Sequence, residues 1–143
     1  MSIVAARAYI AGRIALVDST ITEITTDPLA IDPIASPYPE RFYKLVFGDC
    51  IQTNTAGNAY GLEIQTNLII YAAGHRDELT TYDTLYAKAI SIRNEILNPC
   101  EVKSQPNFSD IVGVSITPGS EDTDDKLYRM DLEFILRIDN YYT

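Results

Sequence analysis

The stretch LEIQTNLIIYAAGHRDE, Leu62 to Glu78, decides how the rest of the chain is read. Leu62, Ile64, Thr66, Leu68 and Ile70 alternate with Glu63, Gln65, Asn67, Ile69 and Tyr71, the period of two that marks a strand with one face on a core. Directly afterwards the period changes. Leu79, Tyr82, Leu85, Tyr86, Ala89, Ile90, Arg93, Ile96 and Leu97 fall on one face of a helix of about 20 residues. Asp77 is placed to cap its first amides, and Asn98-Pro99 stops it. The only histidine of the chain, His75, stands at the corner between strand and helix.

Working outward toward the N-terminus, RFYKLVFG (Arg41 to Gly48) reads as a strand, with Tyr43, Leu45 and Phe47 on one face and Phe42 and Val46 on the other. DCIQTNTAGNAYG after it is polar and rich in Asn and Gly, so a hairpin loop is expected there. Before it, TTDPLAIDPIASPYPE (Thr25 to Glu40) holds four of the seven prolines and reads as a long, stiff connection. Leu29, Ile31, Ile34 and Tyr38 suit it to draping over a neighbouring surface. At the start of the chain, Ile10, Ile14, Val17, Ile21 and Ile24 recur at steps of four and three, which predicts an amphipathic helix over about 2–18.

Toward the C-terminus, DIVGVSIT (Asp110 to Thr117) reads as a short strand and LYRMDLEFILRID (Leu127 to Asp139) as a long one. In the latter, Met130, Leu132, Phe134, Leu136 and Ile138 oppose Arg129, Asp131, Glu133, Arg137 and Asp139, with Ile135 breaking the alternation. PGSEDTDDK between them reads as the tip of an antiparallel pair. The order helix, loop, two strands, helix, two strands predicts an α+β fold, a single mostly antiparallel sheet with two main helices packed on one face. One domain is expected over 1–143, with its sheet-and-helix core over 41–139.

The totals narrow the function. A formal net charge of −9, from 11 Lys and Arg against 20 Asp and Glu, repels phosphate backbones and anionic lipid heads, which disfavours nucleic-acid wrapping and membrane adsorption. No apolar run has the length a membrane span needs and the start lacks a signal-type pattern, so a cytosolic protein is expected. Cys50 and Cys100 are too few for a zinc cluster and read as thiols, buried or partly buried, with a single bridge between them left for a particle that meets oxidising surroundings.

Each candidate for chemistry has a plainer reading. His75-Arg76-Asp77 matches a kinase catalytic-loop triplet, yet no glycine-rich loop and no Asp-Phe-Gly accompany it. A hydrolase would need His75 as base for Cys50 or a serine, and no nucleophile elbow is present. Glu121, Asp122, Asp124 and Asp125 do not follow calcium-loop spacing and read as a solvated tip. No catalytic, metal or cofactor residues are therefore assigned. The ten tyrosines suit surfaces that are dry on one side and wet on the other. A chain end frays unless it is docked, so Tyr141 and Tyr142 are assigned to protein contact.

In AARAYIAGRIAL, LEIQTNLIIYAAGHRDE, LTTYDTLYAKAISIRNEIL and LYRMDLEFILRID, taken in order, the chain resembles the tail terminator family of tailed bacteriophages, also called tail completion or head-tail joining proteins. The proline-rich segment and the acidic tip have no counterpart in that pattern. The resemblance implies a structural, non-catalytic subunit of the virion's tail-neck region, assembled in the host cytoplasm. It implies a homo-oligomeric ring, a hexamer, that caps the tail tube, halts its polymerisation and meets neck or connector proteins. DNA would pass through the ring without specific binding. His75 and Arg76 then form a rim facing a neighbouring subunit, and Tyr38 joins them as an interface residue. Another neck or head-completion adaptor, a small hydrolase using His75 and a monomeric ligand-binding module are the rival readings.

Overall fold

The structure, a computed structural model, describes residues 3–24, 41–54, 59–73, 78–103, 110–121 and 127–142. Helix α1 (Ile3–Val17) leads through strand β1 (Thr22–Glu23) to strands β2 (Arg41–Asn54) and β3 (Ala59–Ala73). Helices α2 (Glu78–Ile96) and α3 (Pro99–Lys103) precede strands β4 (Asp110–Glu121) and β5 (Leu127–Tyr142). The strands make one sheet in the order β1-β2-β3-β5-β4. Every pairing is antiparallel except the short parallel one between β1 and β2. This is the expected α+β arrangement.

The alternation read in β3 and β5 becomes the floor of the core. Ile64, Leu68 and Ile70 of β3 and Met130, Leu132, Phe134, Leu136 and Ile138 of β5 are buried, and Tyr43, Leu45 and Ile111 extend the floor across β2 and β4. Against it pack Ala6, Tyr9, Ile10 and Ile14 of α1 and Leu85, Ala89, Ile92 and Ile96 of α2. Burying an aliphatic side chain stabilises by roughly 1.5–3 kcal/mol, so this layer holds the helices to the sheet. The Tyr9 hydroxyl donates 2.8 Å to the Ile96 carbonyl, and Arg13 pairs with Glu95 at 3.0 Å. Both contacts tie α1 to the end of α2.

Several boundaries differ from those the sequence predicts. The N-terminal helix ends at Val17, within a residue of the expected end, while Ile21 and Ile24, which continue its apolar stripe in the sequence, belong to the turn and to the strand edge. Asp18 ends the helix by accepting from the amide (3.0 Å) and the hydroxyl (2.6 Å) of Thr20, an arrangement that competes with the next helical turn. On α2 the buried stripe runs through Ile92, whereas Ile90, placed on the core face by sequence, is exposed. Asn98 and Pro99 do stop α2, and they also start α3: the Asn98 side chain accepts from the Cys100 amide at 3.1 Å, and proline is preorganised for a first helical position.

The strands run longer than predicted, and each discontinuity in the ladder involves a glycine. β2 does not end at Gly48. Gly48 and Asp49 together oppose Gln65 in a bulge between Phe47 and Cys50, and pairing resumes through Asn54. Gly61 sits at the shift between Tyr60 and Leu62 of β3. Gly113 precedes an extra residue, Val114, in β4. Bulges break the period of two that marks a strand in sequence. Four of the seven glycines thus lie within strands. At Gly113 a Cβ would come within 2.8 Å of the Leu97 side chain and 2.9 Å of the Arg93 guanidinium, so the bare backbone makes room for the last turn of α2.

Candidate interaction surface

The residues singled out by sequence fall unevenly on this frame. His75, Arg76 and Tyr38 lie outside the described residues, as do Asp77 and most of the acidic tip. Tyr141 and Tyr142 are the last residues of β5, where the backbone pairs them with Tyr60 and Ala59 of β3. The chain end is therefore laid into the sheet. Cys50 and Cys100 are exposed and unbridged, which corrects the expectation of buried thiols: Cys50 follows the β2 bulge and Cys100 sits in the one-turn α3.

Two depressions were not predicted from sequence. One, of about 310 Å³, is lined by Arg7, Glu23, Ile24, Lys44 and Leu45. Arg7 and Glu23 are engaged with each other there. Arg7 also reaches the Leu45 carbonyl at 3.4 Å and lies over the Phe47 ring, 5.4 Å from its centroid. Burial, then the Glu23 carboxylate, pushes the Tyr43 phenol up to about 12, so it stays protonated through the physiological range. This cluster clamps α1 and β1 onto β2. The other depression, about 530 Å³, lies along α2 beside Val17 and is floored by Thr84, Ala87 and Ser91. The Asp18–Lys88 pair at 3.1 Å bridges the two helices there. Among the described residues, no group of three or more His, Cys, Asp or Glu side chains is placed to hold a metal ion, and no helix is long and apolar enough to cross a membrane.

The sheet face opposite the helices is organised in rows across four strands. Ile51, Glu63, Arg137 and Asp110 form one row, and Val46, Asn67, Glu133 and Ser115 another. Arg137 donates to Glu63 at 3.2 Å and approaches Asp110 at 4.0 Å. Gln65 and Ser115 donate to the two oxygens of Glu133 at 2.9 and 3.4 Å. Such cross-strand pairs each stabilise by roughly 0.2–1 kcal/mol. At one corner of this face Phe42 and Tyr71 are buried, packed with Ile24 and Ile69.

Beyond the rows lie the sheet edges. β1 covers β2 only at Phe42 and Tyr43, and among the described residues nothing pairs with β2 beyond them or with the outer side of β4. Both edges carry exposed aliphatic side chains: Val46 and Ile51 on β2 are 37% and 62% exposed, and Val112 and Val114 on β4 are 39% and 50% exposed. Strand edges of this kind are templates for another chain. Periodicity in one chain reports burial and cannot tell which strand ends up at the rim, so sequence reasoning missed these edges.

No family model matches the chain, and no curated protein matches it. Among solved structures, a chain of the virion of a native gene transfer agent particle superposes with a TM-score of 0.66, covering 94% of this chain and 94% of that one. The fold is shared end to end. Sequence identity is 12%, so the likeness is one of fold alone.

Proposed function

We propose that the chain is a structural subunit of a phage-type virion, a tail terminator that closes into a ring on the finished tail tube. It stops tube growth there and offers the surface to which the head side joins. The observation that carries this reading is the fold match over nearly the whole of both chains with a component of a virion particle. It agrees with the order of helix, long strand, corner, helix and final strand that resembles tail terminators in the sequence itself.

Two further features support the reading. The clustered polar groups, Arg7–Glu23–Tyr43 and Arg13–Glu95, are spent on holding helices to the sheet, which suits a part whose work is to be rigid. The open strands at both ends of one sheet give each copy two different surfaces for neighbours, and a head-to-tail contact repeated about an axis closes into a ring. A ring of chains that each carry −9 would let DNA through without holding it. Partners are then other copies of this chain, the tail tube protein below and neck or connector proteins above, in the tail-neck region of the particle. His75, Arg76, Tyr38, Tyr141 and Tyr142 belong to these contacts.

The test is capping. Purified chain added to growing tail tubes should arrest elongation and decorate one tube end in electron micrographs. Decoration of the head portal instead would make it a head-completion adaptor, and binding to neither would remove it from the neck.

A further inference from the structure

The ring reading leaves open which surfaces meet, and the sheet narrows the choice. β2 and β4 are the two outer strands for most of the sheet's length. Successive antiparallel pairings from β2 through β3 and β5 leave β4 antiparallel to β2. Rotation about an axis running along the strands preserves strand direction. β4 of one copy would therefore meet β2 of the next in antiparallel register, continuing the alternation of the sheet. A two-fold contact of β4 on β4 would leave every β2 edge open, whereas the head-to-tail contact covers both edges of every copy with one interface.

Not all of each edge is suited to pairing. In β4 the extra residue Val114 and then Pro118, which has no amide hydrogen, interrupt the outer row. In β2 the bulge at Gly48–Asp49 does the same. At the end of the sheet away from β1, the uninterrupted runs are Cys50–Asn54 of β2 and Asp110–Gly113 of β4. Their levels overlap at two positions: Cys50 and Ile111 end one row through Ile64 and Leu136, and Ile51 and Asp110 the next through Glu63 and Arg137. A rotation about the strand axis brings that level of one copy to that level of the next.

The β2 run has a second peculiarity. Gly48, Asp49, Cys50, Ile51 and Gln52 are all exposed, although Cys50 and Gln52 share the face of Ile64 and Leu62 and Ile51 the opposite one. A strand bare on both faces gains little burial from its own chain to offset the entropy of ordering it. Ile51 on β2 and Val112 on β4 project from the same, helix-free face, since their rows run through Glu63 and through Ile135 and Gln65. With Ile51 opposite Asp110, Val112 becomes its diagonal neighbour across the seam, roughly 7–8 Å away and within reach of a long side chain.

We propose that the β2 edge of one copy adds to the β4 edge of the next, with Cys50 and Ile51 opposite Ile111 and Asp110, so that the sheets of a ring join through β2 and β4. This rests on the ring reading, and the experiment separates the two. With Cys50 and Cys100 replaced by Ser, the double variant Ile51→Cys, Asp110→Cys is oxidised and run on a non-reducing gel. Within one chain these positions are three strand spacings apart, about 14 Å, beyond the Cα separation of about 7 Å that a disulfide tolerates. A ladder of linked oligomers, absent from either single-cysteine variant, is the expected result.

In parallel, Ile51→Lys and Val112→Lys place a charge in the seam at sites exposed in the single chain. Each should raise the concentration for half-assembly by about tenfold or more while leaving the melting temperature of the lone chain unchanged. Ile51→Lys combined with Val112→Glu should restore assembly. Rings that form normally with both lysine variants and give no ladder would overturn the strand addition and leave the ring intact. An unmodified chain that forms no ring in solution or on tube ends would overturn both.

Discussion

Phe42 and Tyr71 stack on the face of the sheet opposite the helices, their ring centroids 5.1 Å apart and their planes 19° from parallel. Phe42 is fully buried there. The sheet therefore carries a small second core on the side where sequence alternation places polar residues.

Phe42→Ala should then cost about 3–5 kcal/mol, as for a phenylalanine removed from a packed interior. Urea unfolding followed by circular dichroism measures it. A loss below about 1 kcal/mol would mean that this pair is a surface decoration.

The phase of α2 makes a paired prediction. Ile92 is fully buried and Ile90 exposed, so Ile92→Ala should cost about 2–4 kcal/mol and Ile90→Ala about 0.5 kcal/mol or less. Thermal melts of the two variants side by side decide it, and the reverse order would rotate the helix.

Tyr43 supplies an alkaline signature. Its phenol is pushed up to about 12, first by burial and then by Glu23. The folded chain keeps a proton that the unfolded chain releases near pH 10. Stability should be level below about pH 10 and fall as pH rises from there toward 12. Tyr43→Phe, with no proton to lose, should flatten that limb in melting temperatures recorded against pH.

Asp18 acts at the other end of the scale. Hydrogen bonds from the Thr20 hydroxyl and amide, with Lys88 adding to them, hold its carboxyl well below the usual carboxylate range. Its contribution is complete above that range and is lost as pH falls through the depressed value. Thr20→Val should shallow the fall in melting temperature between about pH 5 and pH 2, and Lys88→Met should do so less.

The parts of the fold that were legible in sequence are those where a single period runs unbroken. Met130 to Ile138 alternate without a bulge, and the strand and its faces follow directly. Leu62 to Tyr71 behave the same way. β2 past Gly48 was read as loop because the bulge flips the alternation, and its polar composition reflects a strand bare on both faces. In α2 the core face is legible at Leu85, Ala89 and Ile96, but Tyr86 and Ile90 broaden the apolar stripe until Ile92 no longer stands out. β1 is two residues long and is held by a neighbour 20 residues away, a pairing that no local pattern encodes. The candidate surface was less legible still: an edge is a property of sheet order, which the alternation in each strand does not contain.

The central claim is that copies of this chain close on themselves. Size-exclusion chromatography with multi-angle light scattering, on the full chain across a range of concentrations and in the presence of tail tubes, tests it most directly. A single species of several chains is predicted, about 95 kDa for six copies of 15.9 kDa. A stable 15.9 kDa species at every concentration, with no tube ends decorated, would contradict it.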